Sequence, residues 1–233
     1  MSGLRRFYES ASVQPQDGGF AVYLDARRLK TPAQSPALAP TRALADACAA
    51  EWAAQGAAID TQTMPLTRLW FTALDRTDGR TADIVAEICK YGETDLLCHR
   101  AERPEILAAR QDALWSPWIS WSRAALGFAP TVTTVLTPAP LHREGIAALA
   151  ARANTLDAFR LTALAHGVAV TGSAILGFAL LDAAIDPQTA FEAAALDNLF
   201  SIETWGEDGE ARARLDRQAK DIADLARFVS ALA

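Results

Sequence analysis

At 233 residues the chain is long enough to bury a sizeable core in one or two domains, and 51% hydrophobic against 21% charged residues excludes wholesale disorder. A formal net charge of −6 argues against a phosphate-backbone partner, which needs clustered Lys and Arg, so no nucleic-acid role is expected. Three cysteines at unrelated spacings, Cys48, Cys89 and Cys98, fit buried thiols in a reducing compartment better than a disulfide framework.

The first residues, Met1-Ser-Gly-Leu-Arg-Arg-Phe-Tyr8, lack the apolar stretch of a signal peptide and reach Glu9 too soon for a transit peptide, so a cytoplasmic protein is expected. Residues 6–30 read as a small β unit. Phe20-Ala-Val-Tyr-Leu24 is a strand entered by an Asp17-Gly18-Gly19 turn, and Asp25-Ala-Arg-Arg28 is a second tight turn. Three prolines between Thr31 and Pro40 remove ladder donors and make that stretch a connector. Thr41 caps an Ala-rich helix with Leu44, Cys48, Glu51 and Trp52 on one face, and Gly56 stops it. The position of Glu51 beside Trp52 predicts partial burial, with an arginine of the N-terminal domain as its expected partner.

From Met64-Pro65 onward the pattern is almost entirely helical. Helices are expected from Pro65, over Thr81–Tyr91, and from Pro104 to Trp115 with a restart at Ser116-Pro117. Trp118 and Trp121, three apart, are expected in the core. Thr94-Asp95 reads as a turn cap that sends Leu96 and Leu97 inward. Thr131–Thr137 alternates Val and Thr as a short strand or extended link. Residues 161–181 carry no formal charge over about twenty positions, the length that spans a bilayer. His166, three glycines and the break at Thr171-Gly172-Ser173 point instead to two buried helices and no membrane insertion. Further helices are expected over Arg143–Ala153, Pro187–Glu203 and Asp208–Leu232, the last with Leu215, Ile222, Leu225, Phe228 and Leu232 as its apolar stripe.

The junction before that last helix is the most unusual stretch. Glu203, Trp205, Glu207, Asp208 and Glu210 set one large aromatic among four carboxylates. Two readings stay open. Asp208 or Thr204 caps the helix, Glu207 and Glu210 favour its positive end, and Trp205 plugs the core. Alternatively the carboxylates form a rim that selects a basic partner, with Trp205 as anchor or buried support.

Recognisable catalytic chemistry is missing. Gly167-Val-Ala-Val-Thr-Gly172-Ser173 has the outer glycines of a phosphate loop without its lysine, and its apolar setting suits packing. No serine sits in a Gly-x-Ser-x-Gly elbow, His99, His142 and His166 are far apart, and Cys98-His99 has no second pair with which to hold zinc. No catalytic residue, metal or cofactor is assigned.

Seven ordered motifs resemble the assembly chaperones of the F-type ATP synthase head, the family that holds the alpha subunit before it enters the hexamer. They are Arg6-Phe-Tyr8, Leu24-Asp25 with Leu29-Lys-Thr-Pro32, Glu51-Trp52-x-x-Gln55, Thr63-Met-Pro-Leu66, Thr72-Ala-Leu-Asp75, Tyr91-x-x-Thr94-Asp-Leu-Leu-Cys98 and Trp205-Gly-x-Asp208-x-Glu210-Ala211. The sequence departs from the pattern at Ala26, Trp70 and His99. The resemblance implies an α+β fold with a small β-rich N-terminal domain, expected over residues 1–60, and a larger helical bundle over 61–233. It implies neither nucleotide nor catalysis, a monomer whose partner is the alpha subunit, and functional weight on Glu203, Glu207, Asp208 and Glu210 around Trp205. The competing expectation is an enzyme or small-ligand-binding protein with a carboxylate-lined site between the two domains.

Overall fold

A computed structural model describes residues 4–134 and 142–233. Four strands come first: β1 (Ala11–Gln16), β2 (Gly19–Leu24), β3 (Arg27–Arg28) and β4 (Leu38–Ala39). The helices that follow are α1 (Arg42–Ala53), α2 (Pro65–Thr72), α3 (Thr81–Glu93), α4 (Glu105–Leu126) and α5 (Arg143–Asn154). They continue with α6 (Ala158–Thr171), α7 (Ala174–Leu181), α8 (Pro187–Trp205) and α9 (Gly209–Ala231). A small antiparallel sheet thus precedes a mostly helical region, the α+β arrangement expected.

The chain divides into two compact units. The first comprises residues 1–80, 157–163 and 227–233. Its hairpin turns at Asp17-Gly18, pairing Gln16 with Gly19, and only glycine fits position 19, where an added Cβ would lie 2.4 Å from the Ala39 carbonyl oxygen. At the other end of β2, Asp25 takes a left-handed φ of 53° and its carboxylate accepts from the backbone N–H groups of Glu9 and Ser10. Those bonds, Ser10 first, hold the Asp25 carboxyl below its usual pKa. β1 pairs along the length of β2, while β3 and β4 pair with opposite ends of it.

α1 packs beneath this sheet with Leu44, Ala45, Cys48 and Trp52 buried, and the Thr41 hydroxyl accepts from the Leu44 N–H at 3.1 Å as its cap. Glu51 is buried but has no arginine partner among the described residues. Its two carboxylate oxygens accept from the N–H groups of Leu66 at 2.9 Å and Thr67 at 2.8 Å, the first turn of α2. Met64 offers that helix no side-chain cap, and Pro65 has no N–H to satisfy, so an acid from α1 does the capping. Arg6 turns instead to backbone carbonyls, those of Tyr8, Glu9 and Gln55.

The first unit runs past residue 60 because α2 closes its core. Trp70 is fully buried and donates from Nε1 to the Leu38 carbonyl at 3.0 Å, and Asp75 Oδ2 accepts from the Ala33 N–H at 3.0 Å. The hydroxyls of Thr77 and Thr162 meet at 2.6 Å, Arg160 donates to the Leu232 carbonyl at 2.9 Å, and Thr41 donates to that of Ala231. Two distant stretches of sequence therefore join residues 1–80, which a single cut at residue 60 does not describe.

The second unit comprises residues 81–156 and 164–226 and is helical. α4 runs unbroken through Pro117, against the expected restart. Contacts on both sides of the proline hold the helix in line. Gln111 donates to Asp197 Oδ1 at 2.7 Å, Trp115 donates from Nε1 to the Ala193 carbonyl at 2.9 Å, and Ile119, Ser122 and Leu126 extend the same buried face. Trp115 is the buried aromatic of α4. Trp118 and Trp121 are only half-buried and meet edge to face at 6.4 Å, so the aromatic stripe flanks the core instead of forming it.

The uncharged stretch 161–181 folds as two helices broken at Gly172, whose φ is 72°, and Ser173 caps α7 by accepting from the Leu176 N–H at 3.1 Å. A Cβ at Gly177 would approach Val168 Cγ2 to 2.5 Å, so the glycines near this break serve close helix packing. No helix among the described residues is long and apolar enough to cross a membrane. Thr133 forms an isolated bridge with His99, and the remainder of the expected link, 135–137, lies outside the described residues.

Candidate binding surface at the end of α8

Burial fades along α8. Ala190, Ala193, Ala195 and Leu196 are buried, Leu199, Phe200 and Ile202 are half-buried, and every residue from Glu203 to Glu210 is exposed. The last turn thus outruns the layer it packs on, and it carries Trp205 with it, 83% exposed. Neither core plug nor buried support describes this residue; both expectations are overturned. A sequence-level helical pattern does not report where a helix outreaches its neighbours, which is why the exposure was not legible. Gly206, with φ 97°, ends the helix and donates its N–H to the Ile202 carbonyl at 2.9 Å.

The carboxylates have separate duties. Glu203 Oε2 lies 2.6 Å from Arg110 Nη1, and the same guanidinium sits 5.5 Å from the Phe200 ring centroid. Asp208 caps α9: its backbone carbonyl accepts the first helical bond from Arg212 at 2.9 Å, and Oδ1 receives a long 3.4 Å contact from the Glu210 N–H. Thr204 does not share that task, since its hydroxyl donates back to the Phe200 carbonyl at 2.8 Å. Glu207 stands 4.0 Å from Arg212, which holds Asp216 more closely at 3.2 Å. Glu210, in the first turn of α9, has no ion pair among the described residues. Glu207 and Glu210 therefore supply the least compensated negative charge at this end.

Sequence reading missed two participants. Arg110 is the cation that fixes Glu203. Ile106, one helical turn earlier on α4, is 56% exposed and adds a second large apolar side chain to the helix that meets α8 there. The only advance signal was their spacing of four on one helix. An exposed indole on a turn with weakly compensated carboxylates is suited to binding a complementary surface, with the ring as the apolar anchor and the acids selecting for cations.

Asp95 is the other buried acid worth placing. Oδ1 accepts from the Ser173 hydroxyl at 2.7 Å and the Leu97 N–H at 3.1 Å, and Oδ2 accepts from the Ile175 N–H at 3.1 Å. It joins the turn after α3 to the start of α7, in line with the capping role expected of it. Burial pushes its pKa up to about 6 against these hydrogen bonds.

The class is that of an α+β protein in which a small antiparallel sheet leads into a helical region that carries an exposed Trp and acids between its last two helices. A family model described as ATP12 chaperone protein matches residues 5–123. Two solved structures of Atp12 from Paracoccus denitrificans, one of them an aspartate-to-lysine mutant, are each 37% identical to this chain. The mutant superposes with a TM-score of 0.93 over 99% of this chain and 98% of its own, and the other with 0.94 over 99% of each. An Agrobacterium tumefaciens protein, provisionally described as a chaperone, is 35% identical with a TM-score of 0.92 over 98% of this chain and 86% of its own. The chain belongs to the ATP12 chaperone family.

Proposed function

We propose that this protein is an ATP-independent chaperone that binds the unassembled alpha subunit of an F-type ATP synthase and hands it on to the catalytic head. The observation that carries the reading is Trp205, almost fully exposed beside Glu207 and Glu210 in a member of the ATP12 chaperone family. An unassembled subunit exposes apolar surface that its neighbours later cover, and such surface aggregates unless something occupies it. Binding that ends when the true neighbour competes needs only mass action, so neither nucleotide nor a catalytic residue is assigned. The protein acts as a monomer in the reducing bacterial cytoplasm, where its free cysteines, with Cys48 and Cys98 buried, stay reduced.

Size exclusion of purified alpha subunit with this protein tests the reading. A one-to-one complex is expected, lost with Trp205→Ala and weakened with Glu207→Lys or Glu210→Lys while each variant keeps the parent circular dichroism. A complex that survives all three substitutions unchanged removes the tip from the interface, and absence of any complex with the parent protein sinks the proposal.

A further inference from the structure

The first unit carries a second surface of opposite charge. A groove of about 1040 Å³ is lined by Leu29, Trp52, Ile59, Met64 and Phe71, and by Leu4 and Phe7, which remain 67% and 53% exposed. Arg27, Arg28, Lys30, Arg68 and Arg76 also line it, against one carboxylate, Asp75. Four of the five cations are exposed, and none makes an ion pair with a carboxylate among the described residues. In a chain of net charge −6 this is a marked local reversal.

The buried polar atoms that lack a partner among the described residues also belong to this groove. Arg28 Nε and Trp52 Nε1 are donors without acceptors, and Asp75 Oδ1 is an acceptor without a donor. Thr67 Oγ1 has only the Cys48 thiol to turn to, a weak partner. Buried polar groups are ordinarily satisfied, and leaving one unpaired costs roughly 1–3 kcal/mol. These atoms are closed to water as the groove stands, so they mark walls that a ligand must part before it completes their hydrogen bonding.

We propose that this groove docks a client peptide segment in which bulky apolar side chains alternate with carboxylates, an inference that rests on reading the chain as an assembly chaperone. The orphaned groups favour a peptide over a small anion. A phosphate or free carboxylate satisfies the donors and is repelled by Asp75, whereas a peptide backbone brings both N–H and C=O. The volume agrees, lying just above the roughly 300–1,000 Å³ that small-molecule sites occupy. The exposed rings and aliphatic chains accept apolar side chains, and the cationic rim pairs with the acids between them.

The test is fluorescence anisotropy of a labelled peptide of about ten residues, alternating Glu or Asp with Phe or Leu, titrated with the full-length protein. Binding is expected to weaken at least about tenfold in Arg68→Glu/Arg76→Glu, to fall with salt, and to vanish when the acids are replaced by lysine. The indole N–H resonance of Trp52, assigned with Trp52→Phe, is expected to shift as peptide is added to the parent protein, a readout that needs no destabilised variant. Equal binding of the lysine peptide, an unchanged double variant, or citrate competing as strongly as peptide overturns the inference. Self-association abolished by both Trp205→Ala and the double variant assigns the groove to a second copy and overturns it too. If the double variant binds alpha subunit like the parent, the groove proposal falls and the chaperone reading stands. If the parent binds the peptide through the groove but never the alpha subunit, the reverse holds.

Discussion

Two buried acids show how differently a carboxylate can be used. Glu51 satisfies two N–H groups at the start of α2. Glu51→Ala leaves both unpaired, and a loss of about 2–5 kcal/mol is expected from urea unfolding, with Glu51→Gln intermediate because it keeps one acceptor. Asp95 is fully enclosed, and its pKa rises from 3.8 to about 6 because desolvation outweighs its three hydrogen bonds. Between those values the folded protein holds a proton that the unfolded chain has released. Its contribution to stability therefore falls as pH rises through that window, by on the order of 3 kcal/mol, and is flat above it. Unfolding of the parent and of Asp95→Asn between pH 4.5 and 7.5 checks this: the parent should lose stability relative to the variant as pH rises to about 6, and the variant should lack that slope. Parallel pH profiles would contradict the assignment. Asp95→Asn is also expected to be less stable throughout, since an amide turns N–H toward groups that themselves donate.

At the scale of elements, α6 and α7 meet through small residues. Gly177→Ala forces a methyl group against Val168, including its backbone nitrogen at 3.0 Å, and a loss of about 1–3 kcal/mol is expected from thermal or urea melts. An unchanged midpoint would mean that the helices slide apart freely. Much of this level was legible in the sequence. Thr41 and Asp208 announced helix starts because capping is a local transaction between a side chain and the next turn, and Pro65 announced one because its fixed φ and missing N–H suit the first helical position. The hairpin was legible for the same reason, since Asp17-Gly18-Gly19 carries its backbone requirement in three residues. Where a remote partner decides the outcome, the sequence was silent. Pro117 predicted a restart, but Gln111 and Trp115 bond to α8 and hold the helix through it. The partner of Glu51 was likewise set by which helix end lay opposite.

For the molecule as a whole, the charge is sorted between its two units. The end of α8 presents an exposed indole with Glu207 and Glu210, and the groove of the first unit presents unpaired arginines around apolar walls. The residues of the tip were legible as a composition, one tryptophan among four acids, but their roles were not. Exposure of Trp205 and neutralisation of Glu203 by Arg110 depend on how far α8 projects past its neighbours. The groove was not legible at all, since its residues span positions 4–76 and no local pattern unites them. Both surfaces suit a protein that holds another protein by complementarity of shape and charge.

The most direct test is light scattering of purified ATP synthase alpha subunit in nucleotide-free buffer, with and without this protein. The account predicts suppression of aggregation near an equimolar ratio, lost when Glu207 and Glu210 are together replaced by lysine in a variant that unfolds at the parent's urea midpoint. Scattering that rises undiminished with the parent protein, or is suppressed equally by the charge-reversed variant, would contradict it.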